Sequence, residues 1–121
     1  MRFIDVSGFS VRQDKQVEFQ EWVVANQERI ARSYPDGSEF GGIYVAVLSS
    51  EKNAGEWYWM DIHDSYGALD RNAAIAKDPT SEMARIGAEF LRFVDPDRAA
   101  GWSRTLLKSV LDATVMDLPR D

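Results

Sequence analysis

The chain has 121 residues, 45% hydrophobic and 12% aromatic. That suffices for one packed domain over 1–121 and is too apolar for a disordered segment. Fourteen Lys and Arg stand against 20 Asp and Glu, a formal charge of −6, which disfavours nucleic acid and anionic membrane as partners.

The absence of cysteine removes disulfides, thiolate zinc sites, iron–sulfur clusters and a cysteine nucleophile. A single histidine, His63, removes multi-histidine metal sites. No run approaches the ~20 apolar residues of a membrane span. The N-terminus MRFIDVSGFSVRQDKQ lacks the continuous apolar core of a secretion signal. The expectation is a soluble cytoplasmic protein with no metal.

Alternation over residues 2–11 predicts a strand, with Ile4, Val6 and Gly8 on one side and Phe3, Asp5, Ser7 and Phe9 on the other. Asp14 is a candidate cap for a helix reaching about Ser33, whose apolar face carries Phe19, Trp22, Val23, Asn26 and Ile30. Tyr34-Pro35-Asp36-Gly37 is a turn signal. Gly41-Gly42 opens a second strand, Ile43 to Leu48. A polar connection over 49–55 leads to a third strand from Glu56 to about His63, as a hairpin. Asp64 or Ser65 caps a helix to about Lys77. Asp78-Pro79 starts another, with Met83, Ile86, Phe90 and Val94 as its stripe and Asp95-Pro96-Asp97 as its end. Residues 98–105 are ambiguous, and Leu106 to Leu118 reads as a last strand. The order β-α-β-β-α-(α)-β is the ferredoxin-like arrangement: an α+β fold with an antiparallel four-stranded sheet and helices on one face.

The third strand carries the chemistry. Tyr58, Met60 and Ile62 are apolar in body and suit the helix side together with Ile4 and Val6. Trp57, Trp59, Asp61 and His63 then join Phe3, Asp5, Ser7, Phe9 and, from the last strand, Asp112 on the face away from the helices. A washed face would not collect so many rings, and a sealed core would not collect three carboxylates. Two readings stay open: the rings seal a homodimer with the acids at its rim, or they also wall a small-molecule cavity. His63, oriented by Asp61, is a candidate general base; the alternative is a structural partner at the helix start near Asp64 and Ser65. Asn26 and Trp22 are candidate groups at the cavity mouth, and Trp102 and Arg104 candidates for a lid or an anion contact.

The order of elements resembles the dimeric α+β barrel superfamily, whose ferredoxin-like protomers pair their sheets. The stretch from Val17 to Val94 looks most like NIPSNAP-type domains. The likeness rests on VEFQEWVVAN, the Gly-rich turn before IYVAVL, GEWYWMDIHDSYGALDR and AIAKDPTSEM. The resemblance implies a homodimer and a scaffold similar to that of antibiotic-biosynthesis monooxygenases, polyketide cyclases and haem-degrading enzymes. Trp57, Trp59 and Asn26 are residue types that cofactor-independent monooxygenases use to hold a polyaromatic substrate. His63, Asn26 and a tryptophan are types that the haem-degrading relatives use. The functional expectations are an oxygenase or cyclase without cofactor acting on an aromatic or polyketide-like compound, a non-catalytic binding or structural homodimer, or a haem protein.

Overall fold

Strand β1, Phe3–Phe9, is central, and the sheet runs β2-β3-β1-β4, with β2 at Ser38–Val45, β3 at Trp57–His63 and β4 at Trp102–Lys108, all pairs antiparallel. The computed structural model describes residues 2–49, 55–97 and 102–110. Three helices complete the ferredoxin-like α+β arrangement: α1 Gln16–Arg32, α2 Tyr66–Lys77 and α3 Glu82–Leu91. Among the described residues no helix is long and apolar enough to cross a membrane.

Several boundaries differ from the expected ones, each for a local reason. Asp14 lies in a single 3-10 turn, Gln13–Lys15, and α1 begins after it with no side-chain cap. Ser65 caps α2 by accepting from the Ala68 amide at 3.0 Å. Asp78 does not start α3; its carboxylate accepts from the amide and hydroxyl of Thr80, and Ser81 caps the helix by accepting from the Ala84 amide at 3.0 Å. Val94 falls beyond α3 and bridges to Val11. Strand β2 starts five residues before the expected Ile43 because Gly41-Gly42 is a bulge within it rather than its opening. Gly42 has φ +109°, and a Cβ on Gly41 would stand 2.9 Å from the Met60 carbonyl oxygen. Only glycine suits both demands. The last strand is Trp102–Lys108, largely the segment left ambiguous in the sequence, and most of the expected strand to Leu118, with Asp112, lies outside the described residues.

The sidedness of the sheet is opposite to the sequence expectation. Phe3↔His63, Asp5↔Asp61, Ser7↔Trp59 and Phe9↔Trp57 pair across β1 and β3 and share one face. That face is the one the helices cover. The Phe9 ring meets Phe19 of α1 edge-on at 5.7 Å and Phe90 of α3 at 4.7 Å. Trp57 meets Phe19 at 5.0 Å, and Trp59 meets Phe90 at 5.1 Å. Phe3, Phe9, Val11, Phe19, Trp57, Phe90 and Val94 are buried. The expected dimer seal of Phe3, Phe9, Trp57 and Trp59 is therefore the protomer's own core. Ile4, Val6, Tyr58, Met60 and Ile62 lie on the uncovered face. The acids are tolerated on the core side because each has a partner. Arg104 donates to both oxygens of Asp5, at 3.0 and 2.7 Å, and Asp61 accepts from Tyr34 and Trp59.

Candidate functional site

The helices do not close completely onto the sheet. Between them lies a cavity of about 520 Å³, within the range of small-molecule sites. Its floor is Ser7, Phe9, Trp59 and Asp61 from the sheet. Ile30 and Ser33 at the end of the first helix, with Tyr34 just beyond, form one side, and Asn72 and Ala76 of α2 another. The roof is α3, with Met83, Ile86, Phe90 and Leu91 among the small residues Ala84, Gly87 and Ala88. The small residues fall at i, i+3 and i+4 on one helix face, which keeps the roof off the floor. A Cβ added at Gly87 would meet nothing within 4 Å.

The polar chemistry is concentrated at one place. Trp59 Nε1 donates to Asp61 Oδ1 at 3.0 Å and to the Tyr34 hydroxyl oxygen at 2.9 Å, and that hydroxyl in turn donates to the same Asp61 oxygen. Burial pushes the Asp61 carboxyl up to about 6, against the opposing pull of the two donors; nearby Asp5 pushes it in the same direction as burial. Burial, and the negative charge of Asp61 beside it, push the Tyr34 phenol well above its ordinary value, so Tyr34 is a donor and not a base. Both donors address Oδ1, which leaves Oδ2 as the oxygen able to take a proton from an occupant. An apolar chamber with one carboxyl poised near neutrality can bind a hydrophobic molecule and exchange a proton with it.

Of the residues singled out in the sequence, Phe9, Trp59 and Asp61 line this cavity. The others do not. Trp57 sits in the core cluster and donates from Nε1 to Gln16 Oε1 at 3.3 Å. Trp22 stacks on Phe19 and donates to Glu89 at 3.2 Å. Asn26 donates to the Trp22 carbonyl at 2.8 Å and accepts from Arg29, a local helix arrangement rather than a cavity mouth. Asp5, the buried acid of β1, is paired with Arg104 of β4. Asp112 lies outside the described residues.

His63 is not brought to Asp61 as a relay. Their side chains share a face two residues apart, but Asp61 bonds Tyr34 and Trp59, while His63 Nδ1 lies 2.7 Å from Ser38 Oγ on the adjoining strand. The imidazole is fully buried, and Nε2 has no partner among the described residues. Burial lowers its pKa; Arg104 acts in the same direction, and Asp5 and Asp64 oppose it. The only imidazole of the chain is absent from the cavity wall, so these residues do not fit a haem held through His63. A structural role has its own signature. The unfolded chain takes a proton at about pH 6.5, whereas the folded imidazole resists it, so this group's contribution to stability is complete above that pH and is lost as pH falls below it. Replacing His63→Ala is expected to cost about 2 kcal/mol at pH 7 through lost packing and the orphaned Ser38. It should also flatten the acid limb of the stability curve and leave cavity binding intact; denaturant melts from pH 7 to 5 check all three.

Three lining features are not apparent from the sequence pattern. Tyr34 lies in a turn signal, yet a turn residue can reach back over a sheet. Asn72 lies in a helix with no strong apolar stripe. The small residues Ala84, Gly87 and Ala88 share one face of α3, a spacing that marks where a helix leaves room.

No protein-family model and no curated protein sequence matches the chain. Solved structures do. A NIPSNAP-like domain protein from Burkholderia xenovorans is similar with a TM-score of 0.64 at 10% identity, covering 93% of this chain and 89% of that one. A NIPSNAP family protein from Agrobacterium tumefaciens is similar with a TM-score of 0.64 at 11% identity, over 95% and 99% of the two chains. A candidate antibiotic biosynthesis monooxygenase from Nitrosomonas europaea is similar with a TM-score of 0.60 at 13% identity, over 93% and 94%. At such identities the likeness is one of fold: the chain has the ferredoxin-like α+β fold of NIPSNAP-like and antibiotic-biosynthesis-monooxygenase-like proteins.

Proposed function

We propose that the cavity binds a polycyclic aromatic or polyketide-like molecule and that Asp61, held by Tyr34 and Trp59, removes a proton from it. The observation that carries this reading is the position of that cluster on the wall of a largely apolar cavity of about 520 Å³. In a cyclase the carboxylate takes an acidic C–H proton, the enolate carbon attacks a carbonyl of the same molecule, and the proton returns to the resulting alkoxide. In a cofactor-independent oxygenase the same carbanion is the species that dioxygen attacks. Proton abstraction is common to both, and a base is most effective when its pKa lies near the working pH.

Anthrone, a tricyclic compound with an acidic C10–H, is a suitable probe. In D2O under argon the protein is expected to accelerate deuterium uptake at C10 with saturation in anthrone. Gly87→Leu, which places a side chain in the space above Gly87, is expected to weaken that saturation at least 10-fold without lowering the melting temperature, since glycine in a helix costs about 1 kcal/mol. Uptake at the uncatalysed rate in the wild type would refute the catalytic reading. Anthrone binding without exchange would favour the non-catalytic accessory protein instead.

The homodimer is proposed through the other sheet face. Ile4, Val6, Tyr58, Met60, Ile62 and, on β4, Leu107 present an apolar surface that no helix among the described residues covers. Light scattering is expected to give about twice the chain mass of 13.7 kDa. Met60→Lys is expected to give that of the single chain with the cavity's anthrone binding retained. A wild-type monomer at micromolar concentration would contradict this interface.

A further inference from the structure

Along the sheet face that the helices cover, Asp5 and Phe9 of β1 are buried, while Ser7 between them is only half-buried. The cavity accounts for the difference, because Ser7 lies on its floor. The cross-strand neighbours of Ser7 on that face are both engaged elsewhere. Trp59, opposite on β3, donates to Asp61 and Tyr34, and Arg104, opposite on β4, donates to Asp5. The other hydroxyls of the wall are committed as well: Tyr34 to Asp61, and Ser33 Oγ to the Ile30 carbonyl at 2.6 Å. Ser7 Oγ makes no hydrogen bond among the described residues and is not sealed from the cavity. No base bonds it, so it is poised as a donor and not as a nucleophile. Ser7 and Asp61 are diagonal neighbours across β1 and β3, about 7 Å apart at the backbone, a gap that one ring of a ligand can span. The floor thus offers a proton acceptor and, across from it, a donor with no partner of its own.

We propose that Ser7 is a second catalytic residue of this cavity, its hydroxyl donating a hydrogen bond to a carbonyl oxygen of the substrate and to the enolate oxygen which that carbonyl becomes. The inference rests on the reading that Asp61 removes a proton in the cavity, and it adds the group that meets the displaced charge. The C–H bond breaks, its proton goes to Asp61, and its electron pair passes through the conjugated ring to the carbonyl oxygen. Ser7 keeps its own proton throughout. The substrate class is then a cyclic aryl ketone whose acidic C–H is conjugated with the carbonyl, chosen over the hydrocarbon of the same shape. A donor fixed where charge develops is worth more in a water-poor site than in solution.

The test compares the wild type with Ser7→Ala and Ser7→Thr, using anthrone and its carbonyl-free counterpart 9,10-dihydroanthracene, both under argon. Ser7→Ala is expected to weaken anthrone binding about 10-fold, the usual worth of a lost hydrogen bond to a buried oxygen, and to leave dihydroanthracene binding unchanged. Deuterium uptake at C10 with saturating anthrone should fall by about 100-fold in Ser7→Ala, as for a lost oxyanion donor. Ser7→Thr, which keeps the hydroxyl, should recover most of that rate. The melting temperature and the pH inflection of the rate should not move in Ser7→Ala, because Ser7 bonds neither the core nor Asp61. Uptake unchanged in Ser7→Ala, dihydroanthracene weakened as much as anthrone, or a shifted inflection would overturn the proposal and leave the Asp61 reading standing. If the wild type itself gives no uptake, the Asp61 reading fails first and the role of Ser7 falls with it.

Discussion

Asp61→Asn is expected to slow deuterium uptake into anthrone by about 100-fold or more, the usual worth of a positioned general base. The amide keeps an oxygen that can accept from Tyr34 and Trp59, so the cluster's geometry survives while its basicity is removed. In the wild type the rate should rise with pH and level off above an apparent pKa of about 6, where burial has placed the carboxyl. Tyr34→Phe should move that inflection upward, because the tyrosine hydrogen bond favours the ionised carboxylate and lowers the pKa. The stability consequence has the opposite sense to that of a salt-bridged acid. The native state holds the Asp61 proton up to about pH 6, whereas the unfolded chain releases it near 3.9, so ionisation costs stability as pH rises between those values. Asp61→Asn is therefore expected to be more stable than the wild type at pH 7, by about 1–3 kcal/mol. A variant that is both less active and more stable is the pattern of a site that spends stability on chemistry. A variant that is less stable and equally active would indicate a structural carboxyl.

Phe9→Ala is expected to lower the unfolding free energy by about 3–5 kcal/mol, among the largest single-residue effects in the chain. Phe9 is fully buried, touches Phe19 and Phe90, and also forms part of the cavity floor. The loss should be measured in the protomer itself: in a monomeric background such as Met60→Lys, the same 3–5 kcal/mol is expected in urea melts at any protein concentration. Had Phe9 lain on a face shared between copies, the cost would vanish once the copies were separated. The two substitutions should add in stability, since they lie on opposite faces of the sheet and share no partner.

The element order was legible because each helix carried its own period and each strand its alternation. Phe19 and Ile30 mark the buried side of α1, Ile86 and Phe90 that of α3, and both positions follow from 3.6-residue spacing. The boundaries at Asp14 and Asp78 were not legible, because an aspartate closes a local turn as readily as it caps a helix. The side of the sheet is less legible. Ile4, Val6, Met60 and Ile62 are the more uniformly apolar set, and uniform apolarity by itself points to the core. Burial follows partnering as well as composition. Asp5 is paired with Arg104 and Asp61 with Tyr34 and Trp59, while His63 bonds Ser38 through Nδ1 and its buried imidazole resists protonation, and so a face with three ionisable groups can lie beneath helices. Apart from Trp59, two residues before Asp61 on the same strand, these partners lie far from their groups in the sequence. Arg104 lies 99 residues from Asp5, and Tyr34 lies 27 residues from Asp61. One sequence gives no access to such pairs. Phe9, Trp59 and Asp61 nevertheless share one face in the sequence reading and in the structure, where they line the cavity floor, because alternation groups them together whichever side the helices take.

On the reading proposed above, Asp61 is a buried carboxyl on the wall of a binding cavity within the protomer. The most direct test is the pH titration of the Asp61 side-chain carboxyl carbon by ¹³C NMR, with and without 2-naphthol. The expected result is a pKa raised to about 6 in the free protein and a clear displacement of the resonance and its midpoint when the probe occupies the cavity. A midpoint near the ordinary 3.9 of a solvated aspartate, unmoved by the probe, would contradict it.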